Sequence, residues 1–258
     1  MQKEGNTMDT MNILWRNIKW RFQNPISILL TIIQPLIWLI LYSSIANESM
    51  QNISKENYTS FILPGIMVLV TLGSCCSSGY INFIMKSKGS FYRILIAPVK
   101  RSSIVLGQML EAVLVSFIEA AIMLVLSLLM SVHIASGFIG LLLMIPLIFI
   151  TAFFMSGLCY AISLSLPNEI IYETLMNLIV LSVFFASTAL FPINSISGGL
   201  KVAVLLNPFT HIINCLRSLI LGTSINWKSI LSVLGLFTCL CCLSFTLALY
   251  KLKKEMKN

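Results

Sequence analysis

The sequence predicts an all-α integral membrane protein. Six transmembrane helices are expected, with an amphipathic helix lying in the interface at the N-terminal end, a short cytoplasmic helix after the second span, and re-entrant helices in the outer leaflet between spans five and six. Three observations carry this prediction. First, 57% of the 258 residues are hydrophobic and only 10% are charged, with a mean hydropathy of +0.92. A soluble domain carries about 25% charged residues, so this chain cannot cover a globule with polar surface and takes lipid as its main solvent. Second, apolar runs of at least about 18 residues read as membrane crossings, and they fall at 26–46, 60–84, 104–132, 138–166, 170–190 and 229–250.

The third observation is where the net charge of +8 sits. Lys3, Arg16, Lys19 and Arg21, then Lys86, Lys88, Arg93, Lys100 and Arg101, then Lys251, Lys253, Lys254 and Lys257 all share one side if the chain crosses six times. The other side keeps Lys55, Lys201, Arg217 and Lys228. Positive residues gather on the cytoplasmic side of membrane proteins, so both termini are expected in the cytoplasm of a multi-pass plasma-membrane protein, of the kind found in a bacterial inner membrane. The basic balance orients the chain in a bilayer and does not imply a nucleic-acid partner. A first apolar run starting only at Ile26, with no small-residue cleavage site, argues against a cleavable signal peptide.

Taken in order, TMNILWRNIKWRF (Thr10–Phe22) interleaves Trp15, Trp20 and Phe22 with Arg16, Lys19 and Arg21. That pattern describes an interfacial helix over 8–23, an anchor or a gating element. Asn24-Pro25 breaks it, and Gln34-Pro35 marks the middle of the first span, where a proline removes a helical hydrogen bond. The loop that follows holds two NxS/T sequons, at Asn52 and Asn57. The second span contains the small-residue run Gly73–Gly79, which suits close helix packing or the wall of a polar route. In MKSKGSFYRILIAPVKRSS (Met85–Ser103), five positive charges flank an apolar core, and Pro98 ends any helix near Ile96. A short amphipathic helix here either rests on lipid head groups or docks in a partner's groove.

Carboxylates in a membrane are functional candidates. Glu111 lies about two turns from the cytoplasmic end of the third span, within reach of the interface, and Glu119 sits at its middle, about 80° further round the helix. The histidines, His133 and His211, lie on the external side, so a proton relay lacks partners and Glu119 is expected at a protein interface or an aqueous cleft. Glu169 and Glu173 begin the fifth span, where negative charge is favourable and Asn168 can cap. Six of the seven cysteines lie in spans, and Cys239 and Cys242, at CxxC spacing, lack the further ligands a metal needs. In LLNPFTHIINCLRSLILG (Leu205–Gly222), Asn207 caps a helix with Pro208 at its first position, and Gly222 ends it. About 14 residues reach about 21 Å, short of the roughly 30 Å hydrocarbon core. His211, Asn214, Arg217 and Ser218 share one face, so this stretch reads as a helix that enters the outer leaflet and returns, its polar face toward water. Arg217 is expected to snorkel to head groups.

No GxxxxGK[ST] loop, HExxH or GxSxG occurs. Catalysis within the chain is not expected, which suggests a transport subunit driven by a partner. TIIQPLIWLILYSSI (Thr31–Ile45), YTSFILPGIMV (Tyr58–Val68), GSFYRILIAPVKRSSIVLGQ (Gly89–Gln108) and ALFPINSISGGLKVAVLLNPFTHIINCLRSLILG (Ala189–Gly222) occur in order along the chain. Together they resemble the ATP-binding-cassette type-2 permeases, in particular the drug-resistance and nodulation-factor export branch. The resemblance implies one permease domain over 1–258, paired with a second permease subunit, identical or not, and two separate ATPase subunits. Those ATPases would bind ATP and Mg, with no cofactor in this chain.

By the same resemblance, the coupling region 86–101 docks on the ATPase through Gly89, Phe91, Tyr92, Arg93, Leu95, Pro98, Lys100 and Arg101. The external re-entrant region 191–222 holds a gate containing Asn207, Pro208, His211, Arg217 and Gly222. The first and fifth spans form much of the dimer interface, and the second helps line the route. Gln34, Glu111 and Glu119 stand as its intramembrane polar groups. Two departures are visible: Lys86-Ser87-Lys88 replaces the acidic residues usual before the coupling glycine, and Ile196-Ser197 stands where a proline usually follows the Phe-Pro pair. The first predicts a dedicated ATPase with an acidic groove rim, the second a looser outer turn. The competing readings are an ATP-independent secondary transporter or channel using Glu119, and a non-transport membrane anchor or immunity protein.

Overall fold

Helix α3 (Tyr58–Ser87) is the axis around which the chain is built. The computed structural model describes residues 2–23, 25–49, 58–130, 132–193, 197–222 and 226–255, and the other helices are α1 (Gln2–Phe22), α2 (Pro25–Ser49), α4 (Ser90–Ile96), α5 (Arg101–Leu129), α6 (Gly137–Ser165), α7 (Glu169–Phe185), α8 (Gly198–Leu206), α9 (Pro208–Leu221) and α10 (Trp227–Glu255). The sequons at Asn52 and Asn57, together with Lys55, Ile196 and Lys257, lie outside the described residues. No strand occurs among the described residues. The most apolar window of α3 is 78% buried inside the protein, against 22% for that of α10, so α3 is central and α10 peripheral. Around α3 pack α2, α5, α6, α7 and α9, and α10 lies on the far side of α6.

Among the described residues, four helices, α3, α5, α6 and α10, are long and apolar enough to cross a membrane, and α8 with α9 would make a fifth if that pair, bent by 81°, were one span. α2 carries a shorter apolar stretch, Ile32–Tyr42, and α7 has 17 residues. The expected fifth span over 170–190 stops early. Beyond Phe185 the main chain turns, with the Ser187 hydroxyl donating to the Phe184 carbonyl at 2.5 Å, and this frees the carbonyls of residues 188–190 for partners outside the helix. Prolines lie inside α2 (Pro35), α3 (Pro64) and α6 (Pro146), whereas the 29 residues of α5 contain none.

Local chemistry sets several helix ends. Asn168 caps α7 by accepting from the Ile170 N–H at 2.9 Å, as expected. Asn207 accepts from the Phe209 N–H at 3.0 Å, with Pro208 in the first turn of α9. Gly222 ends α9, as expected, with an extended φ of −91°. The last carbonyls of α9 are satisfied from the α5–α6 turn. The Ala135 N–H donates to the Ile220 carbonyl at 2.9 Å, and the Ser136 hydroxyl donates to that of Leu219.

Candidate functional site

On the face where the basic residues gather, Gly89 takes φ +75°, a left-handed conformation that glycine adopts without a Cβ penalty, and the chain reverses there from α3 into α4. α4 ends at Ile96, before the extended Ala97 and Pro98. Within α4, Phe91 is only 1% exposed and packs with Ile13, Met85, Ile104 and Tyr160. It therefore anchors the helix to its own chain and is unavailable to a partner, contrary to the expectation for that residue. Leu95 is half-buried. Tyr92, Arg93, Pro98, Lys100 and Arg101 are exposed, as is Gly89. Ile96 is 84% exposed and was missed as a candidate, because an isoleucine in an apolar run reads as core until the helix is oriented. Lys86 donates to the Leu164 carbonyl and pairs with Glu255, both at 2.7 Å, so it is committed within the chain, while Lys88 is exposed.

Behind α4 lies a buried polar chain that joins α1 to the bundle. Arg16 donates to Asn17 Oδ1 at 2.8 Å, Asn17 to Gln108 Oε1 at 2.9 Å, and Gln108 to the Ser78 hydroxyl at 3.0 Å. The Ser78 hydroxyl in turn donates to Glu111, which pairs with Arg21 at 3.2 Å. The aromatic anchors Trp15 and Phe22 are exposed on α1, as an interfacial helix requires. Its opposite face, Ile13, Asn17 and Arg21, packs on α5. The approach is close at Gly107, where a Cβ would stand 2.7 Å from Ile13 Cγ2. Glu111 thus does not reach water and is almost fully buried against Arg21. Glu119, also buried, accepts from the Ser74 hydroxyl between α3 and α5.

Neither carboxylate lines the main cleft, a space of about 420 Å³ bounded by α2, α3 and α7. Gln34, the third intramembrane polar candidate, does line it, beside Pro35 and Trp38. The small-residue run of α3 serves both readings at once. Ser74, Cys75 and Ser78 are buried in packing, while Gly73, Cys76 and Ser77 face the cleft. Tyr80 reaches across and donates to Glu169 at the start of α7, and Tyr172 donates to the Cys76 carbonyl at 3.0 Å.

The opposite face centres on Arg217. Its Nε donates to the Phe61 carbonyl at 3.1 Å, and its Nη2 to the Thr188 carbonyl at 2.6 Å and to the Ala189 carbonyl at 3.4 Å. Nη1 donates to Asn214 Oδ1 at 3.1 Å, and the guanidinium lies 3.8 Å from the centre of the Phe61 ring. Arg217 therefore folds inward and does not snorkel. Asn207 Nδ2 donates to the Val183 and Ala186 carbonyls at 2.7 and 2.8 Å, tying α9 to the end of α7. Pro208 opens α9, and His211 lies 3.2 Å from the Leu205 carbonyl. The apolar face of α9, including Ile212, Ile213, Leu216 and Leu219, is buried against α3, α6 and α10 rather than immersed in lipid.

This arrangement of a surface helix, a cleft and a clamped α8–α9 pair lies almost wholly within residues 9–221, which match the family model described as "ABC-2 type transporter". The chain belongs to the ABC-2 type transporter family. Members of this family are membrane transport subunits, not themselves enzymes, and they work with an ABC ATPase partner. Among relatives, this permease is 26% identical to the putative transport permease ycf38 of Cyanophora paradoxa, over 84% of this chain and 75% of the relative. It is 24% identical to the daunorubicin resistance ABC transporter permease protein DrrB1 of Streptomyces coeruleorubidus, over 84% and 77%. It is 22% identical to nodulation protein J of Rhizobium meliloti (strain 1021), over 81% and 80%.

Proposed function

We propose that this permease is the membrane subunit of an ATP-driven exporter that moves an amphipathic drug, peptide, lipid or glycan outward. In this reading the chain crosses a cytoplasmic membrane six times, through α2, α3, α5, α6, α7 and α10, with both termini inside. A second permease subunit pairs with it along α2 and α7, and two separate ATPase chains bind ATP and Mg. α4 with its flanking turns receives the ATPase, the cleft between α2, α3 and α7 forms part of the route, and α8 with α9 makes an external gate. One observation carries this reading: the chain turns Tyr92, Arg93 and Ile96 outward from a helix whose Phe91 is locked in the core, so a push on α4 is delivered to the bundle.

The test is co-expression of the doubly substituted Tyr92→Ala, Ile96→Glu permease with the transporter's own ATP-binding subunit. Removing an exposed aromatic and aliphatic anchor should lower co-purification of that subunit about tenfold or more. Undiminished co-purification would refute α4 as the docking element. An ATP-independent carrier working through Glu119 is disfavoured, because that carboxylate is buried in the α3–α5 contact and does not line the cleft.

A further inference from the structure

The cleft between α2, α3 and α7 contains one ionisable side chain that the protein does not use to hold itself together. Of the two carboxylates that open α7, Glu169 lies in the first turn, where helix N–H groups favour negative charge, and it accepts from Tyr80. Glu173 stands a turn further on. It is exposed, has no hydrogen-bond or ion-pair partner among the described residues, and lines the cleft. Among the described residues, no Lys, Arg or His lines it. Beyond Glu173 the lining is mostly apolar and aromatic, with Met176, Val180 and Phe184 on α7 and Trp38 on α2, and Asn177 is its one polar side chain on that stretch of α7. The cleft is therefore polarised along α7. A carboxylate stands near one end with Tyr80 and Tyr172, and Phe184 stands at the other, about 16 Å away at 1.5 Å per residue from 173 to 184.

We propose that this cleft selects an amphipathic organic cation and that Glu173 determines the selection. The inference rests on the reading of the cleft as part of the export route, and it adds the charge and shape of the cargo. The apolar body lies against Trp38 and Phe184, and the cationic group sits beside Glu173 within reach of the Tyr80 ring. A cation is favoured twice, by a carboxylate in a partly dry site and by the negative faces of the rings. An anion of the same shape meets a like charge and no counter-cation, which is how a site rejects a wrong ligand. A volume of about 420 Å³ lies within the roughly 300–1,000 Å³ of ordinary small-molecule pockets.

The test uses the purified full-length permease in phosphatidylcholine nanodiscs and three probes of similar shape: tetraphenylphosphonium (cationic), tetraphenylborate (anionic) and triphenylphosphine oxide (neutral). Binding is read by equilibrium binding and by quenching of Trp38 fluorescence, assigned with Trp38→Phe. Tetraphenylphosphonium should bind with Trp38 quenching, and Glu173→Gln should weaken it about tenfold, the order of one close ion pair at a partly buried site. Tetraphenylborate should bind Glu173→Gln at least as well as the parent. Glu169→Gln, four residues away and outside the cleft lining, should leave cation binding within about twofold. An equal loss in both variants would assign the effect to the general charge of the helix start and overturn the proposal, as would unchanged binding to Glu173→Gln. Trp38-dependent binding of all three probes without regard to charge would overturn the selectivity and leave the route reading standing. Failure of every probe to reach Trp38 would overturn both.

Discussion

The pair formed by Arg21 and Glu111 shows what one contact asks of a membrane protein. Both side chains are almost completely buried, and the pair links the interfacial helix to the third expected span at 3.2 Å. Removing one partner strands a charge, so Glu111→Gln or Arg21→Met should destabilise the fold by about 3–5 kcal/mol, while replacing both with apolar residues of similar size should cost far less. Equilibrium unfolding in mixed micelles of the two single variants and the double variant reads this directly; additive losses would refute the coupling. Arg217 makes a different demand. Its guanidinium fork meets three main-chain carbonyls and one amide oxygen. Arg217→Lys keeps the charge but loses the fork. It should therefore lower the thermal midpoint nearly as far as Arg217→Ala, whereas a head-group anchor would tolerate lysine.

Among the elements, α9 was largely legible in the sequence and α1 only by half. Asn207, Pro208 and the spacing of apolar residues defined α9 because capping chemistry and helical period are local properties. What lay against it was not local. The inward turn of Arg217 depends on carbonyls at 61, 188 and 189, contributed by segments far away in the chain. For α1 the rings and basic residues marked the lipid-facing side. Asn17 was silent, and Arg21 was counted with the surface charges, because a periodicity cannot say that a polar stripe faces protein. Phe91 and Ile96 traded roles for a similar reason, since both are apolar and only the docking of α4 separates anchor from exposed surface. Two variants test these elements. Asn207→Ala should cost about 1–2 kcal/mol from the cap alone and should speed hydrogen exchange at the start of α9. Gly107→Val should push α1 off α5, for about 1–3 kcal/mol of overpacking, read as increased protease cleavage within α1.

For the whole molecule, topology is the decisive measurement. With six crossings and a re-entrant α8–α9 pair, single cysteines introduced at Gly199 and Gly222 should both react with an impermeant maleimide from outside, and one at Ser87 only from inside. If Gly199 and Gly222 label from opposite faces, the bent pair is a span and the chain has a different parity. The span count was hard to read from hydropathy because a short apolar helix with a polar stripe looks alike whether it crosses or returns. The 81° bend makes the two outcomes separable by chemistry.

α5 is also worth considering as a mechanical part. It begins where the α4 turn ends, carries Glu111 against α1 near that end, and at the other end leads into the turn that caps α9. Its 29 residues contain no proline, a principal cause of sharp helix kinks. A rod of that length spans about 43 Å, and a tilt of about 5° about one end swings the other by about 4 Å. That swing exceeds the length of any hydrogen bond holding the outer end of α9. In the proposed reading, a small angle imposed near α4 becomes a bond-breaking displacement on the opposite face, with leverage alone supplying the gain.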